Sequence, residues 1–127
     1  MKGLVDTHTF IWWDSNPSRL SAAASAFLQD PSSIVLLSVV SVWELLSKHQ
    51  LGKVTLRMPL RTILAQQQAN GIQLLPLTLD HVLAVENLPM PHKDPVDRLL
   101  VGQATTEGAV LVSADPIFAQ YPVKVLW

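Results

Sequence analysis

The sequence predicts an α/β fold, a three-layer α/β/α sandwich around a central parallel sheet of four or five strands. Short apolar runs of strand length recur along the chain, and none alternates polar with apolar as a half-wet strand would. Between them lie segments of helical spacing, bounded by capping residues and by Gly or Pro. Strand and helix therefore alternate, as parallel pairing requires, because each crossover must carry the chain back along the sheet. The chain's 127 residues are one domain's worth, so residues 1–127 are expected to form a single unit.

Lys2–Val5 is the first expected strand. His8–Trp13 follows as a short helix or turn, closed by Asp14-Ser15-Asn16-Pro17. Ser21 N-caps an alanine-rich helix to Gln29, which Asp30-Pro31 ends. Ile34–Leu37 is the second strand. Ser41–His49 is helical, with Val42, Leu45 and Leu46 on one face and Gly52 beyond its end. Pro59–Asn70 has Pro in its first turn and Gly71 as its stop, and Ile72–Leu75 is the third strand. Thr78 caps a helix from Leu79 to about Asn87, which Pro89 and Pro91 cannot continue. Asp94-Pro95 opens a helix that runs to Glu107 and stops at Gly108. Ala109–Val112 is the fourth strand, Pro116–Gln120 a helical turn, and Val123–Leu126 a possible fifth strand at the edge.

Composition removes several function classes. Apolar residues are 49% of the chain and charged residues 15%, enough apolar surface to offset the entropy of folding and to exclude a disordered chain. The surplus predicts a face covered by a partner or a second copy, with Trp12 and Trp13 as its expected centre. Zero cysteines exclude disulfides, thiolate metal sites and cysteine nucleophiles, and fit a reducing, cytoplasmic location. A net charge of −1 is not that of a protein that coats nucleic acid. The apolar run Ile34–Trp43 is interrupted by Ser38 and Ser41 and falls short of the ~20 residues a membrane span needs. Asp6 inside the first apolar run argues against a signal peptide.

Ligands of open α/β sheets bind beyond the carboxyl ends of the strands. Asp6 directly follows the first strand, and Asp115 lies two residues past Ser113 at the end of the fourth. Glu44 sits early in the helix after the second strand, and Asp97 in the first turn opened by Asp94-Pro95. Each acid also fits a structural role. Asp6, Asp94 and Asp115 suit N-caps, Ser41-Val42-Trp43-Glu44 matches a capping box, and Asp97 suits the helix dipole. Caps have no need to cluster, however. Two carboxylates ~4 Å apart repel by ~4 kcal/mol at an effective dielectric of 20, a burden that a divalent cation lifts. Oxygen-only ligands suit Mg²⁺, with Mn²⁺ as the substitute, and disfavour zinc. Such a site suits phosphodiester cleavage, in which the metal activates a water and stabilises the attacking and leaving oxygens. Without these four acids the chain keeps six acids against nine bases, among them Lys48, Lys53, Arg57 and Arg61 in one stretch and Lys93 and Arg98 beside Asp94 and Asp97. These bases suit guidance of a polyanion, or an ordinary solvated surface.

Four ordered segments, Leu4-Val5-Asp6-Thr7-His8, Ser41-Val42-Trp43-Glu44-Leu45, His92-Lys93-Asp94-Pro95-Val96-Asp97-Arg98-Leu99-Leu100 and Leu111-Val112-Ser113-Ala114-Asp115, resemble the motifs of PIN-domain proteins. Among these the chain is most similar to the VapC-type toxins of bacterial type II toxin–antitoxin pairs. The resemblance extends to Tyr121-Pro122-Val123 and Trp127. It implies a Mg²⁺-dependent endoribonuclease, with Asp6, Glu44, Asp97 and Asp115 as catalytic metal ligands and tRNA or rRNA as the usual class of target. It also implies a homodimer, a cognate antitoxin as partner, and DNA contact only through that antitoxin. Thr7, Asp94, Arg98 and Ser113 belong to the same motifs and are expected to support the acids or to touch RNA. Asp94 suits the cap best, and Ser113 stands where many relatives carry threonine. Trp12, Trp13 and Trp43 are expected in the core or a partner interface rather than as base-stacking platforms. His8 and His92 lie near the motifs, and a lone histidine is more often structural.

Three other functions share parts of this pattern. A haloacid-dehalogenase-type phosphatase needs a second aspartate two residues after the first, where His8 stands. A receiver domain needs an acidic pair after the first strand, and Thr7 follows Asp6. A catalytically silent module that keeps the fold for partner binding is the alternative that the intact acid set opposes but does not remove.

Overall fold

The computed structural model describes residues 1–127. Five strands, β1 (Lys2–Val5), β2 (Ile34–Ser38), β3 (Gln73–Leu75), β4 (Val110–Val112) and β5 (Val125–Leu126), form one sheet in the order β3-β2-β1-β4-β5. Every neighbouring pair is parallel, with Leu4 opposite both Leu36 and Leu111. Six α-helices cover it: α1 (Thr7–Ser15), α2 (Ala22–Gln29), α3 (Val39–Gln50), α4 (Leu60–Ala69), α5 (Leu79–Leu83) and α6 (Pro95–Glu107). Short 3₁₀ turns occupy Pro17–Arg19 and Pro116–Gln120. No helix is long and apolar enough to cross a membrane.

The strand side chains alternate between two cores. Leu4, Leu36 and Leu111 meet Val96, Leu100, Val101 and Phe118 on one face. Val5, Val35, Leu37 and Val112 meet Phe10, Phe27, Leu45 and Ile63 on the other. With both faces dry, no position along a strand is reserved for polar residues, which accounts for the unbroken apolar runs. Helix α3 touches both cores, through Val40 on one side and Leu45 on the other.

Several boundaries differ from expectation, for local reasons. Helix α1 begins at Thr7 and runs to Ser15, because Asp6 rather than a later residue caps it and Asn16 supplies the closing backbone bond. Helix α3 begins at Val39, because Ser38, not Ser41, accepts the first free N–H, from Val40 at 3.0 Å. The expected Ser41–Glu44 capping box is therefore absent, and Ser41 is a buried residue inside the helix. Helix α5 ends at Leu83 and continues as tight turns through Leu88, held by i→i−3 backbone bonds. Strand β3 begins at Gln73 because Ile72 N–H is spent on Gln67 O, closing α4 over Gly71 at φ 102.

The strand order reverses direction at β1. The first three strands run outward one way and β4 and β5 the other, so β1 and β4 flank the point where successive crossovers part. That crevice, at the carboxyl ends of β1 and β4, is where such sheets bind ligands.

Candidate active site

Asp6 and Asp115 both open onto this crevice. With His8, Trp12 and Ala114 they line a pocket of about 270 Å³. Asp6 is only 6% exposed, and both of its oxygens are engaged. Oδ1 accepts from Thr9 N–H at 2.8 Å, capping α1, and Oδ2 accepts a short hydrogen bond from the Ser113 hydroxyl. The Ser113 oxygen in turn accepts from Asp115 N–H at 3.0 Å. One buried serine thus fixes two acids that stand on different strands. Asp115 Oδ1 caps the Pro116–Gln120 turn by accepting from Ile117 N–H at 3.0 Å. Thr9 Oγ1 donates to Val112 O at 3.0 Å and clamps the start of α1 onto β4. Capping and site-building coexist here, because each carboxylate oxygen has a second lone pair.

Asp97, in the first turn of α6, does not line this pocket but lies close enough to Asp115 to feel its charge. Burial pushes the Asp97 carboxyl above the ordinary carboxylate range. The hydrogen bond and charge of His92 pull the other way, and the negative charges of Asp94 and Asp115 reinforce the rise. Asp94 is the α6 cap, with Oδ1 accepting from Val96 N–H at 3.0 Å and Asp97 N–H at 3.2 Å.

A chain of side chains stands behind Asp97. Arg98 Nη1 donates to the Tyr121 hydroxyl at 3.3 Å, and that hydroxyl lies 2.8 Å from His92 Nδ1. His92 Nε2 lies 3.0 Å from Asp97 Oδ2. The imidazole is thus held between two partners, the tyrosine hydroxyl at Nδ1 and the Asp97 carboxylate at Nε2. Arg98 is only 8% exposed and also donates to Pro89 O at 2.6 Å, so its guanidinium faces inward.

Glu44 stands apart. It pairs with Lys48 at 3.6 Å, one turn along α3, and does not line the Asp6–Asp115 pocket. Thr7 is buried, and its hydroxyl has no hydrogen-bond partner, as is true of Ser41 on α3. No group of three or more His, Asp or Glu side chains closes on a common point that could hold a metal ion. The donor chemistry nonetheless fits a hard cation. Two carboxylates share one pocket, a third is burdened by the charge of one of them, Asp115, and Mg²⁺ is commonly bound through one or two carboxylates while keeping several waters.

His92 and Tyr121 are the functional candidates that sequence reasoning set aside. The available signal was the Asp94-Pro95 cap, which turns the chain sharply and lays residue 92 back over the first turn of α6.

The PIN domain family model matches residues 3–124. The chain is 30% identical over 113 residues to Ribonuclease VapC22 of Mycobacterium tuberculosis, covering 88% of this chain and 85% of that protein. The structure resembles a crystal structure of VapBC2 from Rickettsia felis bound to a DNA fragment from its promoter. That match has a TM-score of 0.75, 13% identity, and coverage of 98% of this chain and 97% of the other. It also resembles a toxin–antitoxin complex from Klebsiella pneumoniae, with a TM-score of 0.59, 15% identity, and coverage of 94% and 92%. These likenesses run the length of the motifs that carry the acids, and the chain belongs to the PIN-domain family and, within it, to the VapC type.

Proposed function

We propose that this protein is the toxin of a type II toxin–antitoxin pair and a divalent-metal-dependent endoribonuclease. The observation that carries the reading is the pair Asp6 and Asp115 in one crevice at the β1/β4 switch point, with Asp97 electrostatically coupled to Asp115. Its VapC-type relative is named a ribonuclease, and its structural neighbours are toxin–antitoxin complexes. Asp6, Asp97 and Asp115 would hold the cation, Mg²⁺ or Mn²⁺, and Glu44 would join them only if it left Lys48. The cation, when bound, activates water and stabilises charge on the cleaved phosphodiester. Ser113 and Thr9 N–H fix the orientation of Asp6, and Ser113 also fixes the backbone of Asp115. His92, set by Tyr121 and Arg98, holds one oxygen of Asp97 and leaves the other to face the site. Cellular tRNA or rRNA is the substrate class, in the cytoplasm.

One surface feature supports a second copy as partner. Val39, Val40, Trp43, Leu77, Val96 and Leu99 line an apolar groove of about 440 Å³, closed by Pro95, and Trp43 is 63% exposed beside it. A projecting indole next to an apolar groove is self-complementary under a two-fold axis, so a second copy of this chain covers that face. Exposed apolar side chains thus form a face at α3 and α6, while Trp12 and Trp13 are half-buried, Trp13 against a core. A cognate antitoxin binds the toxin and supplies all DNA contact.

The test is RNA cleavage by the purified chain in Mg²⁺ and in EDTA, with Asp6→Asn and Asp115→Asn variants alongside. Cleavage by the parent alone, and only with metal, is the expected result. Equal RNA loss in every sample would overturn the assignment and leave the silent binding module as the better account.

A further inference from the structure

The structure separates basic side chains that are committed to other partners from those that are free. Arg57 is committed to Asp14 through two contacts, of 2.9 and 2.8 Å, and to Gln66. Arg98 is buried, and Arg19 lies over the Trp12 ring at 4.5 Å. Lys48 and Lys53 instead converge. With Thr7, His8, Ile11, Leu45 and Val54 they line a pocket of about 280 Å³ between the start of α1 and the second half of α3. His8 is common to this pocket and to the Asp6–Asp115 pocket, so the two are neighbours across one imidazole. The charge changes sign across that wall, with carboxylates on one side and ammonium groups on the other.

Lys53 is exposed and has no carboxylate within 4.0 Å, and Lys48 has only Glu44. The Thr7 hydroxyl, buried on the same side, is a donor left without an acceptor. An acidic pocket that takes a cation cleaves one phosphodiester. A polyanion threaded through it brings further phosphates past its edges, where ammonium groups meet them.

We propose that the Lys48–Lys53 pocket is a phosphate subsite. It takes a backbone phosphate of single-stranded RNA next to the one presented to Asp6 and Asp115. The subsite sets the register of the strand without reading its bases, because phosphate contacts position and carry no sequence information. This inference rests on the ribonuclease reading for the identity of its ligand.

The experiment measures binding of a fluorescein-labelled oligouridylate by anisotropy, in EDTA and across a KCl series. It uses the parent, Lys53→Ala, Lys53→Arg and the Lys48→Ala/Lys53→Ala pair. The slope of log affinity against log salt is about −0.7 per phosphate contact on a single strand. Lys53→Ala should make the slope shallower by about that amount, the double variant at least as much, and Lys53→Arg should restore it. A slope identical in the parent and both alanine variants would overturn the subsite, and the nuclease reading would stand if the parent still cleaves RNA with Mg²⁺. A parent that cleaves nothing, yet loses salt dependence in Lys53→Ala, would overturn the nuclease reading and keep the phosphate subsite.

Discussion

Ser113 ties together two acids that the sequence holds 109 residues apart, Asp6 and Asp115, through one donated and one accepted hydrogen bond. Ser113→Ala would leave one Asp6 oxygen unpaired in a buried place and take the acceptor from Asp115 N–H, at a cost of about 1–3 kcal/mol. Ser113→Thr keeps the hydroxyl, so urea unfolding should separate the two variants, with threonine close to the parent. His92 makes a similar prediction for metal affinity. Loss of a group that orients a metal ligand typically weakens binding about 10–100-fold, so His92→Ala should show that loss in a Mn²⁺ titration. His92→Gln, which can still donate to Asp97, should recover part of it. Asp97 adds a pH signature. Its folded-state carboxyl sits above its ordinary value of 3.8, so the folded protein binds that proton more tightly than the unfolded chain does. The stability this brings is present below pH 3.8 and lost as pH rises through the folded value, which leaves ionised Asp97 a burden at neutral pH. Asp97→Asn, whose amide oxygen can still accept from His92, should melt higher than the parent at pH 7 in EDTA. That gap should close as the pH falls towards 3.8; a gap that widens in acid would contradict the assignment.

At the scale of elements, the helices whose caps are explicit in the sequence begin where those caps place them. Ser21, Thr78, Asp94 and Asp115 each accept from the expected backbone N–H. The start of α3 was not legible, because Ser38 and Ser41 offer the same chemistry three residues apart. Only the end of β2, paired to β3 through Ser38, decides between them. That shift removes Glu44 from a capping role and leaves it in the second turn, paired with Lys48. The crossing of α5 and α6 was also invisible in the sequence. A Cβ on Gly102 would sit 2.7 Å from the His81 carbonyl oxygen, so glycine is required there by close approach rather than by backbone conformation. Gly102→Ala should destabilise by about 1–3 kcal/mol through overpacking, outweighing the ~1 kcal/mol gain in helix propensity. The fall in the urea midpoint measures it.

At the scale of the whole molecule, the fold class follows from alternation and the buried strand pattern, but strand order does not. The β3-β2-β1-β4-β5 order is set by which apolar faces find each other, and it alone brings residues 6 and 115 side by side. Asp6, Asp97 and Asp115 were legible because each falls at a strand or helix end, whereas Glu44 lies in the second turn of α3. Ser113 was legible as a support only through the motif it belongs to, and the pairing of His92 with Tyr121 was not, because hydrogen bonds across 107 and 29 residues leave no periodic trace. The exposed apolar face around Trp43 carries its own prediction. Trp43→Glu should shift the purified chain from dimer to monomer in light scattering while leaving its fold intact, because the indole lies outside both cores. The account as a whole depends on Asp6, Asp97 and Asp115 acting together on a cation. Electron paramagnetic resonance of Mn²⁺ titrated into the RNA-free protein tests this directly. The parent should bind Mn²⁺, and Asp6→Asn and Asp97→Asn should each lose most of that affinity while remaining folded; full affinity in both variants would contradict the account.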